Sequence, residues 1–251
     1  MNHVGVRFGE ELESRSFAFV DFPTFDFCGF FRDWNAFFES SAKFDYGVPP
    51  GELSGYHPFR SERAVSASVS DPKEFFHYFR GGNCPPQLRA VADVLFDACS
   101  ALALQVAERL DVHSNDEVSL RAMVANSSSL LLRVIRYLPM ADLENFAETH
   151  TDIDLFTVIP AIKGRKLVVE QANSPGVIIE NIEGAAVILA GEMLESKTMG
   201  RIKAAKHRVL GAAEQTMSVV FFVNPSPEVI VGGVSAGEMV AQRLAEMKSR
   251  F

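Results

Sequence analysis

A succession of short apolar runs between residues 130 and 223 limits the chain most. Residues 130–138 (Leu-Leu-Leu-Arg-Val-Ile-Arg-Tyr-Leu) are closed by Pro139. Further runs follow at 155–160, 166–171, 177–181, 186–190, 201–210 and 216–223, separated by Gly, Pro, Asn or Glu. Leucine, β-branched and aromatic residues in runs of this length read as strands, and the breakers between them as turns. Many short strands at even spacing suggest two stacked sheets. Residues 16–23 add an N-terminal strand suited to a sheet edge.

The flanks carry helical periodicity instead. Phe27, Phe30, Phe31, Trp34, Phe37 and Phe38 recur at helical intervals and predict a core-facing helix rather than a cofactor box. Leu88, Val91, Leu95, Ala98, Leu102, Val106 and Leu110 step by three or four, so 85–110 is expected as one long amphipathic helix with its two prolines in the first turn. Ser114–Glu117 and Ser235–Glu238 have the form of capping boxes. They predict a helix from about 114 to 126–129 and a C-terminal helix to about 249.

At 251 residues and 47% hydrophobic content, one domain over 1–251 is expected, with no apolar run approaching the roughly 18–20 residues of a membrane helix. A net charge of −8 argues against nucleic acid or an anionic membrane as the main partner, since both need a clustered basic surface. Oligomeric state is left open. Three cysteines, Cys28, Cys84 and Cys99, form no CxxC, and the N-terminus has no signal-peptide pattern, so the cytoplasm is the expected compartment.

The candidate chemistry lies in His150-Thr151-Asp152 and a distant His207, 57 positions on. Two imidazoles and a carboxylate are the ligand set of a facial triad, which holds Fe(II) and leaves neighbouring positions open. In an extended segment His150 and Asp152 leave the same face. The runs 176–180 and 184–194, then Thr198-Met199-Gly200 and Ala205-Lys206-His207-Arg208-Val209, resemble the C-terminal core of the isopenicillin N synthase-like family of non-haem iron enzymes, which includes many 2-oxoglutarate-dependent dioxygenases. Lys43, Gly55-Tyr56-His57-Pro58-Phe59 and the segment from Asp71 to Phe76 resemble its N-terminal part.

The resemblance implies an α+β chain with a double-stranded β-helix (jelly-roll). Helical support and a substrate side would occupy about 1–129, the catalytic core about 130–225 and a C-terminal helix 235–251. It implies Fe(II) on His150, Asp152 and His207, Tyr137 near substrate or cosubstrate, and O2 with a small organic, often amino-acid-derived, molecule as reactants. Phe75 to Phe79 could line the cavity, though core packing is the plainer role of those aromatics.

One departure bears on the cosubstrate. Relatives that use 2-oxoglutarate hold its far carboxylate with an Arg-x-Ser unit on the strand after the distal histidine, because a guanidinium fork pairs two carboxylate oxygens in one plane. Here the unit reads Thr216-Met217-Ser218. The expected enzyme is therefore an oxidase or oxygenase without the usual 2-oxoglutarate anchor, Ser218 still donating to a polar group. One alternative is a 2-oxoglutarate enzyme whose cation is Arg133 or Arg136. Another is a jelly-roll that binds or senses a small molecule without catalysis.

Overall fold

The structure is a computed structural model describing residues 3–62, 70–111, 119–140, 144–164, 167–171, 174–180 and 183–248. A seven-stranded antiparallel sheet has the order β1-β9-β6-β11-β4-β3-β2, built from β1 (Phe17–Asp21), β2 (Gly55–His57), β3 (Lys73–Tyr78), β4 (Leu131–Tyr137), β6 (Phe156–Lys163), β9 (Ala185–Ala190) and β11 (Thr216–Val223). Facing it is a four-stranded sheet, β5-β10-β7-β8, from β5 (Asn145–His150), β7 (Leu167–Gln171), β8 (Ser174–Ile179) and β10 (His207–Leu210). This is the expected jelly-roll.

Strand alternation divides the core in two. On β11, Met217, Val219, Phe221 and Val223 pack with the helices, while Val220 and Phe222 join Ile135, Tyr137, Phe146, Val169 and Val209 between the sheets. Opposite faces of one strand thus serve two apolar layers. The outer layer is made by α2 (Phe27–Glu39), α3 (Pro86–Asp111) and α4 (Leu120–Ala125) with Phe8 and Leu12 of α1 (His3–Arg15). Asp26 caps α2 by accepting from the Gly29 amide at 2.9 Å, and the predicted aromatic stripe is buried, with Trp34 against Phe76 of β3.

Several expectations are corrected. β1 is the expected edge strand, but β2 and β3 also come from the first 129 residues, so that part supplies more sheet than expected beside its helical support. By length and composition α3 is apolar enough to cross a membrane, contrary to the sequence reading; Leu88, Leu95, Cys99, Leu102 and Val106 are instead buried against the rest of the chain, as in a core helix. Residues 201–206 form no strand and β10 begins at His207. The box at Ser114–Glu117 lies outside the described residues, and α4 is capped by Ser119, which accepts from the Ala122 amide at 3.0 Å. The second box is formed: Ser235 accepts from the Glu238 amide and donates to Glu238, at the start of α6 (Ala236–Lys248).

Candidate metal centre

His150 is the last residue of β5 and His207 the first of β10, and the two are register partners across that ladder. Their rings lie 4.3 Å apart. Asp152 is not on the strand, as an extended segment would have it, but in the turn that follows. One ligand atom from each of the three residues falls within 4.8 Å of the others.

Tautomers prepare the cluster. His207 Nδ1 lies 2.9 Å from the Ala205 carbonyl and His150 Nδ1 2.7 Å from the Glu148 carbonyl. A carbonyl only accepts, so each Nδ1 carries the proton and each Nε2 keeps a lone pair. Those Nε2 atoms are 3.9 Å (His207) and 4.0 Å (His150) from carboxylate oxygens of Asp152, too long for hydrogen bonds. Burial first, then the neighbouring imidazole of His207, hold His150 down to about 4, so it is neutral at pH 7. Burial pushes Asp152 up, but His207, His150 and the Thr157 hydroxyl outweigh it and keep the carboxyl below its usual range. Imidazole nitrogens with a free lone pair and an ionised carboxylate are what a divalent iron needs.

The Asp152 turn is braced from three directions. Thr157 donates to Asp152 at 2.6 Å and to Asp154 at 3.0 Å. The start of α5 (Glu192–Lys197) gives its Glu192 amide to the Asp152 carbonyl at 2.9 Å. Arg243 of α6 donates to the Thr151 carbonyl at 3.2 Å and pairs with Glu192, which also accepts from the Thr151 hydroxyl. Asp154 is fully buried; desolvation and the neighbouring Asp152 raise its carboxyl well above the usual range.

The remaining sequence candidates separate. Tyr137 lies between the sheets, stacked on Phe146 with ring centres 5.4 Å apart, and is the register partner of both Thr216 and Lys73. Thr216 and Ser218 are fully buried on the same face as Val220, and neither hydroxyl has a hydrogen-bond partner among the described residues. Arg133 also points inward, between the rings of Phe75 and Phe222. Arg136 does not reach the site: strand alternation turns it outward, where it meets Glu74 at 3.0 Å and Asn35 at 3.3 Å.

Lys73 and His77, which fall in segments the sequence singled out but with no role of their own, alternate with Phe75 on the inner face of β3. Sequence reasoning passed over Glu62, Thr157 and Asp154. Of the aromatics in that segment, Phe76 and Tyr78 are outer core, whereas Phe75 faces the interior.

A jelly-roll with two histidines and an aspartate converging inside one end offers the ligand set of a non-haem iron centre. No protein-family model matches the chain. It is 28% identical over 158 residues to a bi-functional coumaroyl CoA and feruloyl CoA ortho-hydroxylase of Ipomoea batatas (59% of this chain, 43% of the relative). It is 25% identical over 173 residues to a naringenin,2-oxoglutarate 3-dioxygenase of Callistephus chinensis (67% and 49%). The matches thus span less than half the length of these curated relatives. Among solved structures, an oxygenase provisionally assigned in Shewanella oneidensis superposes with a TM-score of 0.84 at 26% identity, covering 99% of this chain and 97% of that one. A full-length Neurospora crassa protein in complex with alpha-KG gives 0.79 at 19% identity, covering 96% and 90%. In sequence and fold the chain is similar to members of the 2-oxoglutarate- and Fe(II)-dependent dioxygenase superfamily, the one that contains the isopenicillin N synthase-like enzymes.

Proposed function

We propose that the chain is a non-haem iron oxygenase or oxidase that uses O2 on a small organic molecule, with an amino-acid-derived metabolite as one substrate class, and that it lacks the usual 2-oxoglutarate anchor. The observation that carries this is the convergence of the two Nε2 lone pairs and the Asp152 carboxylate, with both Nδ1 protons tied to backbone carbonyls. His150, Asp152 and His207 would hold Fe(II), which supplies O2 activation when bound. Thr157 keeps the Asp152 carboxylate ionised and aimed. Glu192 and Arg243 fix the turn that carries it. The buried apolar side chains of Phe75, Ile135, Phe146 and Val220 between the sheets would keep bulk water from the reactants.

Thr216 supports the absence of the usual anchor, because a neutral hydroxyl stands where relatives carry an arginine and a buried carboxylate needs a charged partner or several donors. Ser218 offers one further hydroxyl to a polar group. The second reading, a 2-oxoglutarate enzyme with a relocated cation, is favoured by the inward Arg133 and Lys73; Arg136 drops out of it. Oxygen uptake by the Fe(II)-loaded protein against a metabolite pool, with succinate assayed alongside, separates the readings. Substrate-triggered uptake without succinate is expected. Stoichiometric succinate would replace the first reading with the second, and no triggered uptake with any substrate would favour a binding module.

A further inference from the structure

Next to the triad lies a second constellation. Arg133 gives Nη1 and Nη2 to the two carboxylate oxygens of Glu62 at 3.1 and 3.2 Å, a bidentate pair. Its Nε donates to His77 Nε2 at 2.7 Å, and His77 in turn gives Nδ1–H to the Leu53 carbonyl at 3.0 Å. The guanidinium carbon is 4.5 Å from the Phe75 ring centre and 5.0 Å from that of Phe222. Lys73 adds its ammonium to the same Glu62 carboxylate at 2.7 Å and to Asp71 at 2.8 Å.

The fork is oriented without help from Glu62. His77 fixes one edge and two aromatic rings fix its plane, so the Nη edge is a preformed seat for a planar anion. Glu62 is the least enclosed of the four charged groups: its side chain is 22% exposed, against 14% for Arg133, 8% for Lys73 and 5% for Asp71. It also lies outside the strands that hold the two cations. Arg133 and Lys73 are on the inner face of β4 and β3, the face that carries Tyr137 and, on β11, the unpartnered hydroxyls of Thr216 and Ser218. Those hydroxyls are buried donors aimed into the same interior.

We infer that the Arg133–Lys73 pair is the carboxylate-recognition seat of this chamber, and that Glu62 is an internal carboxylate which a ligand's carboxylate displaces. This rests on the interior being the reactant chamber of the proposed enzyme. Exchanging one carboxylate for another leaves the charge of the buried cluster unchanged, so the incoming group meets no unpaired cation and leaves none. Glu62 returns to solvent, which its position allows. The carboxylate belongs either to a dicarboxylate cosubstrate or to the substrate.

Calorimetric binding to the anaerobic Fe(II)-loaded protein, with 2-oxoglutarate and 3-phenylpropanoate as probes, tests the seat in wild type, Glu62→Gln and Arg133→Lys. Glu62→Gln is expected to tighten at least one probe, and Arg133→Lys, which keeps the charge but loses the fork, to weaken the same probe, each by about tenfold. Tightening confined to 2-oxoglutarate assigns the seat to a cosubstrate; tightening confined to 3-phenylpropanoate assigns it to a substrate acid; both support the seat itself. Wild-type affinity for both probes in both variants overturns the inference. Should Glu62→Gln fail to fold, Arg133→Lys decides alone: weakened binding supports the seat and unchanged binding overturns it. The iron content of the same samples reports separately on the metal centre, so an intact centre with no carboxylate effect sinks this inference and not the proposed function.

Discussion

His77 couples charge recognition to stability. Burial first, then the positive Arg133 and the neighbouring His57, hold its imidazole well below the ordinary histidine range, against the opposing pull of Glu62 and the Leu53 carbonyl. Protonation would also break the bond from Arg133 Nε. A histidine whose folded value is depressed contributes stability that is fully present above about pH 6.5, its unfolded value, and is lost as pH falls toward the folded value. The denaturation midpoint of the metal-free protein should therefore drop between pH 7 and pH 5. His77→Gln, which still accepts from Arg133, should flatten that slope; an unchanged slope would contradict this account of His77, although His57, also lowered by burial, adds in the same direction. Gly191 is a second single-residue test, of steric rather than charge origin. A Cβ there would lie 2.1 Å from the Asp154 carbonyl oxygen, so Gly191→Ala should destabilise by about 1–3 kcal/mol in urea unfolding. The convergence of His150, Asp152 and His207 was legible because their residue types and spacing carry the pattern of a ligand set. Lys73 and His77 were not, because charged residues on both faces of β3 hide the period of two that would have shown a strand, and Glu62, outside any strand, carries no periodic signal at all.

At the scale of elements, the Asp152 turn is held by helices remote in sequence. The backbone amides at the start of α5 dock on it, and Arg243 reaches from α6 to the Thr151 carbonyl and Glu192. Arg243→Ala should weaken Fe(II) or Co(II) binding about 10- to 100-fold, the usual cost of removing support behind a ligand, while the fold persists. Metal titration followed by absorbance checks this, and wild-type affinity in the variant would show that α6 does not position the site. The α6 helix itself was readable from Ser235 and Glu238, and α2 from its aromatic stripe. β2 and β3 were not: short and interrupted by charged and polar residues, they are strands by virtue of pairing, β2 with β3 and β3 with β4, and tertiary context decides such segments. The mixed charges of α5 likewise gave no hint that this short helix abuts the metal turn.

On the scale of the whole molecule, the two-layer architecture followed from the turn-punctuated runs after residue 130 and the edge strand β1 from residues 16–23, whereas the contribution of β2 and β3 to the large sheet did not. The arrangement gathers the triad, the Arg133–Lys73 pair and the Thr216 and Ser218 hydroxyls on the inner side of the large sheet, the side that carries the apolar layer between the sheets, with the helix-packed layer on its outer side. Its central claim is that His150, Asp152 and His207 together hold one iron. The most direct measurement is an anaerobic Fe(II) titration of wild type and His207→Ala, with bound iron quantified per chain after gel filtration. The account predicts about one iron per wild-type chain, as a single three-ligand site requires, and loss of retained iron in a folded His207→Ala variant. A folded variant that retains iron as the wild type does would contradict it.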